Sequence, residues 1–211
     1  MSAPANIRRS AGKDDWETPW LVIEAIKRDF GVTFDLDACA SEVNHKADKW
    51  LEGPCIGDVC WLKADGCCWD MLERGNPCCD GFGWVPNDCA CGLCGDHGTG
   101  TVFCNPPYSA TADWLYSARK KADAGSTEWC LIPVATGSSW WAPAVVRIAD
   151  EIISLNQRIP FIHPPHCDCK ACLAGTKGSN TTDSALVIFR PYNRAKLDGA
   201  SARTFSWGWR K

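Results

Sequence analysis

Residues 101–108, Thr101-Val102-Phe103-Cys104-Asn105-Pro106-Pro107-Tyr108, decide how the chain folds. Thr, Val, Phe and Cys in succession make a buried-type strand, and the two prolines stop it because neither can donate an N–H to a sheet ladder. A helix from about Ala110 to Ala124 follows, ended by Gly125, and then a strand from Glu128 to Val134. Further along, the pattern predicts a helix over 139–149 and strands over 151–155 and 185–190. Upstream, Thr18 is expected as N-cap and Pro19 as the first residue of a helix whose apolar positions Leu21, Val22, Ala25, Ile26 and Phe30 recur at helical spacing until Gly31. Residues 32–39 are short and β-prone, closing on acidic and small residues. Strands alternating with helices predict an α/β fold, a parallel sheet covered by helices on both faces.

Such sheets place their chemistry at the carboxyl ends of the strands, where Asn105–Tyr108 falls. The four residues suit one task. An exocyclic amine on a heteroaromatic ring is a poor nucleophile because its lone pair is delocalised. A side-chain carbonyl from Asn105 and the main-chain carbonyl of Pro106 can accept both amine hydrogens, favouring a pyramidal nitrogen with a free lone pair. Pro106 and Pro107 keep the backbone rigid, and Tyr108 offers a face on which a planar base stacks, worth about 1–3 kcal/mol. The same tetrapeptide also reads as a turn or as a proline-rich ligand for a partner domain.

The chain has 211 residues, enough for one domain carrying insertions. With 22 Lys+Arg against 25 Asp+Glu, the formal net charge is −3, which argues against coating nucleic acid by bulk electrostatics. Any phosphate contact must be local. The run Arg119-Lys120-Lys121 reads as a solvated helix face, and Trp140 and Trp141 as core or groove wall. Residues 1–14 are polar, without the apolar core of a signal peptide, and are expected to form a disordered arm ahead of a single domain over 15–211. No run approaches the roughly 18 apolar residues of a membrane span, so the expected location is the cytoplasm.

Cysteine is the compositional oddity, with 15 in all. Nine lie in one stretch, Cys55, Cys60, Cys67, Cys68, Cys78, Cys79, Cys89, Cys91 and Cys94, with His97 just beyond. Three more, Cys167, Cys169 and Cys172, follow His163 and His166. In a reducing compartment, clustered thiols are metal ligands more often than disulfides, and these segments lack the periodicity of an ordinary core. Two or three structural zinc sites are therefore expected, with Cys89, Cys91, Cys94 and His97 as one ligand set and His166, Cys167, Cys169 and Cys172 as another. The two stretches, about 54–100 and 163–178, read as insertions that either stabilise the domain or help it recognise a target.

In order along the chain, Asp15–Trp20, Phe34–Ala40, Asp65-Gly66, Phe103–Ser109, Leu131–Val134, Trp140-Trp141 and Ser184–Pro191 together resemble the phage-type DNA N6-adenine methyltransferases. The resemblance implies a Rossmann-like methyltransferase sheet, S-adenosylmethionine as methyl donor, adenine in DNA as substrate, and Asn105, Pro106, Pro107 and Tyr108 as the catalytic pocket. It further implies donor contacts from Trp16, Thr18 and Pro19, from Asp35 and Asp37, and from Asp65, which is similar to the acid facing the donor's adenine. Protection of phage DNA from restriction is a purpose consistent with that family. The loop Asp37-Ala38-Cys39-Ala40-Ser41 departs from it by lacking the glycines found in many methyltransferases. Amines of RNA or protein are the alternative substrates, and a non-catalytic, zinc-stapled nucleic-acid-binding module is the alternative class.

Overall fold

The computed structural model describes residues 16–52, 97–164, 170–173, 182–191 and 203–208. The expected arm, Asp65, the nine cysteines from Cys55 to Cys94, His166, Cys167 and Cys169 lie outside the described residues. Seven strands form one sheet: β1 (Leu36–Ala40), β2 (Lys49–Glu52), β3 (Thr101–Cys104), β4 (Thr127–Pro133), β5 (Glu151–Leu155), β6 (Ser184–Phe189) and β7 (Arg203–Trp207). Their spatial order is β2-β1-β3-β4-β6-β5-β7. All run parallel except β6, which pairs antiparallel with both β4 and β5. The expectation of a parallel sheet therefore holds with one strand reversed.

Alternate residues along the central strands supply two cores. On one face Cys104, Cys130, Ile132, Val187 and Phe189 pack with Trp114, Leu115, Ala118 and Ala122 of helix α2 (Thr111–Ala124). On the other, Phe103, Trp129, Leu131, Leu186 and Ile188 pack with Val22, Ile23, Ala25 and Ile26 of helix α1 (Trp20–Phe30). Both faces are thus covered. The buried stripe of α1 is displaced from the expected one, since Ile23 is in the core and Leu21 is 62 % exposed.

Local chemistry accounts for most boundaries. Gly31 ends α1 in the left-handed conformation, φ 64°, and Gly125 ends α2. Pro19, not Thr18, is the residue that caps α1. The expected helix over 139–149 shrinks to a π-helical turn at Ala142–Val146, where Arg147 N–H reaches back to the Ala142 carbonyl. In a helix running over 139–149, Pro143 would owe an N–H to the Ser139 carbonyl, and it has none to give. Trp141 is buried against α2's side of the sheet with Trp140 beside it, as expected of wall residues. Arg119 departs from the solvated face assigned to it: it donates to Asp150, Asp123 and the Arg190 carbonyl, tying α2 to the ends of β5 and β6.

Leu186 sits fully buried in β6 between two neighbouring strands. Leu186→Ala is expected to lower the unfolding free energy by about 2–5 kcal/mol, read as a fall in the urea midpoint with an unchanged slope.

Candidate active site at the carboxyl edge of the sheet

Asn105 leaves β3 at its carboxyl end, and Pro106 and Pro107 carry the chain into a single 3₁₀ turn, Tyr108–Ala110, that leads directly to α2. The Asn105 Nδ2 donates to the main-chain carbonyl of Trp16 at 3.3 Å. Its Oδ1 is buried with no hydrogen-bond partner among the described residues. The Tyr108 hydroxyl is likewise buried, with the Ser184 hydroxyl as its polar neighbour, and Phe161 braces its ring at right angles, centroids 6.3 Å apart. Burial pushes the Tyr108 phenol well above its ordinary range, with the nearby Ser184 hydroxyl pulling the other way. It therefore stays protonated as a donor.

The segment 16–19 is held against this turn by the sheet's own chemistry. Glu17 exchanges two main-chain hydrogen bonds with Ile162, each 2.9 Å. The Trp16 ring stacks on His163, centroids 4.0 Å apart, and lies 6.4 Å from Phe161. Thr18 is buried at 2 % exposure and its hydroxyl has no partner among the described residues. Ser184, fully buried where β6 begins opposite Pro133, contributes another buried hydroxyl. At this end of the sheet the buried Thr18 hydroxyl and Asn105 Oδ1 thus lack partners among the described residues, beside a Tyr108–Ser184 hydroxyl pair that faces no other polar group among them. Buried polar groups are nearly always satisfied, so a cluster of exceptions marks where a ligand's polar atoms belong.

Asp37 and Asp35 part company. Asp37 lies in β1, 3 % exposed, and accepts N–H groups from Cys39 at 3.2 Å and Lys46 at 2.8 Å, shaping the loop after the strand. Burial raises its carboxyl to about 6 against the lowering effect of those two bonds. Asp35 lies before β1, at the amino end of the sheet, where its carboxylate accepts the Thr101 N–H at 2.8 Å. A Cβ on Gly100 would stand 2.7 Å from that carboxylate, so glycine permits the contact. The structure therefore brings Trp16, Thr18, Pro19 and Asp37 toward Asn105–Tyr108 and leaves Asp35 as a brace at the far edge. Lys46 and Ser184 were missed from sequence. Lys46 is buried, with Nζ donating to Glu17 at 2.7 Å and Asn44 at 3.0 Å while lying 5.0 Å from the Trp20 ring centre. It joins the Asp37 loop to the 16–20 segment, and no spacing or motif signals it.

Of the expected metal ligands, the described ones are His97, His163 and Cys172. His97 Nδ1 is 2.8 Å from the buried Glu128 carboxylate, which also accepts from Ser126. His163 Nδ1 is 3.0 Å from Cys172 Sγ. No group of three or more candidate donors occurs among the described residues. Cys104 and Cys130 are buried neighbours in the β3/β4 register, and burial pushes the Cys104 thiol well up, which makes Cys104 an inert core thiol.

The fold is α/β, and the carboxyl edge of its sheet gathers the Asn105 amide, the Tyr108 ring and several buried polar oxygens into one candidate site. The chain belongs to the DNA N-6-adenine-methyltransferase (Dam) family, whose model matches residues 6–69 and 74–204. The matched residues include most of the first Cys-rich stretch. The chain is also 29 % identical, over 192 residues, to the DNA N-6-adenine-methyltransferase of Haemophilus phage HP1 (strain HP1c1), covering 90 % of this chain and 86 % of that protein. The protein is thus a DNA N6-adenine methyltransferase by family. No helix among the described residues is long and apolar enough to cross a membrane.

The raised Asp37 value sets a pH dependence. A carboxyl whose folded value lies above its unfolded one contributes stability that is complete below about pH 4 and is lost as pH rises through about 6. Over that window Asp37 should reduce stability by up to about 1.4 kcal/mol per pH unit, a component expected to vanish in Asp37→Asn when chemical-denaturation free energies are compared pH by pH.

Proposed function

We propose that the protein transfers a methyl group from S-adenosylmethionine to the N6 amine of adenine in DNA, with Asn105, Pro106, Pro107 and Tyr108 forming the target pocket. One observation carries the reading: Asn105 has its Nδ2 tied to the Trp16 carbonyl, which leaves its buried Oδ1 as an unpartnered acceptor. That is the orientation an amine donor requires. The family assignment favours adenine in DNA over amines of RNA or protein, and an enzyme over a binding module. The relative in a Haemophilus phage supports a phage or prophage origin, action in the bacterial cytoplasm, and a role in protecting phage DNA from restriction.

Trp16, Thr18, Pro19 and the loop held by Asp37 are the residues proposed to hold the donor, and the unsatisfied Thr18 hydroxyl fits a polar ligand beside Asn105. When bound, the donor supplies an electrophilic methyl on a positively charged sulfur. Asn105 Oδ1 and the Pro106 carbonyl accept the two amine hydrogens and localise the nitrogen lone pair, so that rate enhancement comes from positioning and preorganised dipoles. The Tyr108 ring stacks on an adenine withdrawn from the duplex and offsets part of the few kcal/mol that withdrawal costs. The rigid Pro-Pro turn keeps both acceptors in place. Asp65 remains proposed as a further donor contact, outside the described residues.

Zinc is proposed for the Cys-rich stretches, about 54–100 and 163–178, held by their thiols with His97, His163 and His166. Two observations support it. A carboxylate fixing one ring nitrogen is the usual orienting contact of a metal-ligating histidine, and Glu128 supplies it to His97. His163 and Cys172, nine residues apart, meet side chain to side chain. The metal would stabilise these segments, since methyl transfer needs no activated water.

Asn105→Ala is expected to lower methylation of duplex DNA roughly a hundred- to a thousandfold, as single-group losses of this kind do, while calorimetry finds donor affinity within a few-fold of the unaltered protein. Near-normal methylation by this variant would refute the pocket assignment. Elemental analysis should find two or three zinc ions per chain, as the ligand count suggests, and chelation at neutral pH should lower the melting temperature.

A further inference from the structure

An asparagine amide is nearly symmetric in shape, so the choice between presenting oxygen or NH₂ to the pocket must be made by a neighbour. Here the neighbour is the Trp16 carbonyl, which can only accept and therefore selects Nδ2. That carbonyl belongs to a residue 89 positions away in sequence, and what holds it there is the segment 161–163. The segment grips the backbone through the reciprocal Glu17–Ile162 hydrogen bonds. It grips the side chain through the His163 ring, stacked on the Trp16 indole at 4.0 Å with 19° between planes.

We propose that His163 is a positioning residue for the Asn105 amide, acting through the face of its ring on Trp16. The face and the edge of the imidazole serve different partners. The face holds Trp16, and the edge, through Nδ1, meets Cys172. Loss of the face frees Trp16 to rotate, displaces its carbonyl and lets the Asn105 amide sample the orientation that offers NH₂ to an incoming amine. Methyl transfer then slows while the donor and DNA still bind. The inference rests on Asn105 being the amine acceptor of the proposed function.

The test compares His163→Ala with His163→Phe, which keeps a flat ring but has no nitrogen for Cys172 or a metal. Each variant is measured for single-turnover methylation of an adenine-containing duplex, KM for that duplex, S-adenosylmethionine affinity by calorimetry, and zinc content. His163→Ala is expected to lose roughly ten- to a hundredfold in kcat, the scale of an ångström-level misplacement, with KM and donor affinity within about twofold. His163→Phe, which lacks the same ring nitrogens as the alanine variant, is expected to be at least about tenfold faster than that variant at equal zinc content. Should the alanine variant fold poorly, His163→Leu replaces it as the non-aromatic member of the pair. The proposal is overturned if kcat is unchanged on losing the ring, if His163→Phe is as slow as the non-aromatic variant, or if the loss of kcat tracks loss of zinc. An unaltered protein that methylates no adenine, or an active Asn105→Ala variant, would instead overturn the earlier reading, and this one with it.

Discussion

Burial of the sheet on both faces is the constraint from which the rest follows. Between α1 on one side and α2 on the other, β4 and β6 are buried along almost their whole length, so their main-chain polar groups have no water to turn to. The six-residue antiparallel register from Glu128–Phe189 to Pro133–Ser184 meets that need. Irregular backbone is tolerated only where the ladders end. At the carboxyl edge, the end of β3 can therefore break into Asn105-Pro106-Pro107 without leaving orphaned strand donors, because proline has none to orphan.

That edge is built from segments far apart in the chain. Residues 16–19 arrive before α1, Asp37 and Lys46 flank the β1–β2 turn, Asn105–Tyr108 follow β3, 161–163 follow β5, and Ser184 opens β6. Polar ties join them: Asn105 to Trp16, Glu17 to Ile162, Lys46 to both Glu17 and the Asp37 loop. The unsatisfied oxygens at their centre are the exception to an otherwise bonded edge. In the proposed function those oxygens are acceptors for an amine, and a site of that kind carries the cost before the ligand arrives.

The opposite edge is joined by carboxylates. Asp35 closes on Thr101 across Gly100, and Glu128 engages His97 and Ser126. The resemblance grouped Asp35 with Asp37 as donor contacts. Two residues of a strand advance about 6.6 Å, enough at the end of a short strand to separate a residue in the sheet from one at its rim. Spacing alone could not distinguish them. The same holds for Thr18, a good N-cap by type, whose hydroxyl is buried without a partner among the described residues while Pro19 caps the helix.

The amino-acid sequence by itself determined the α/β class, the strands that alternate with α1 and α2, their glycine stops, and the place of Asn105–Tyr108 at a strand's carboxyl end. These follow from local rules: periodicity, the missing N–H of proline, the freedom of glycine. Tertiary structure alone decided the reversal of β6, the short strands β2 and β7, the ties made by Lys46, the burial of Ser184, and which end of the Asn105 amide bonds the Trp16 carbonyl. Each depends on a partner tens of residues away, 89 in the case of Asn105 and Trp16, and a contact of that range leaves no periodic trace in the chain.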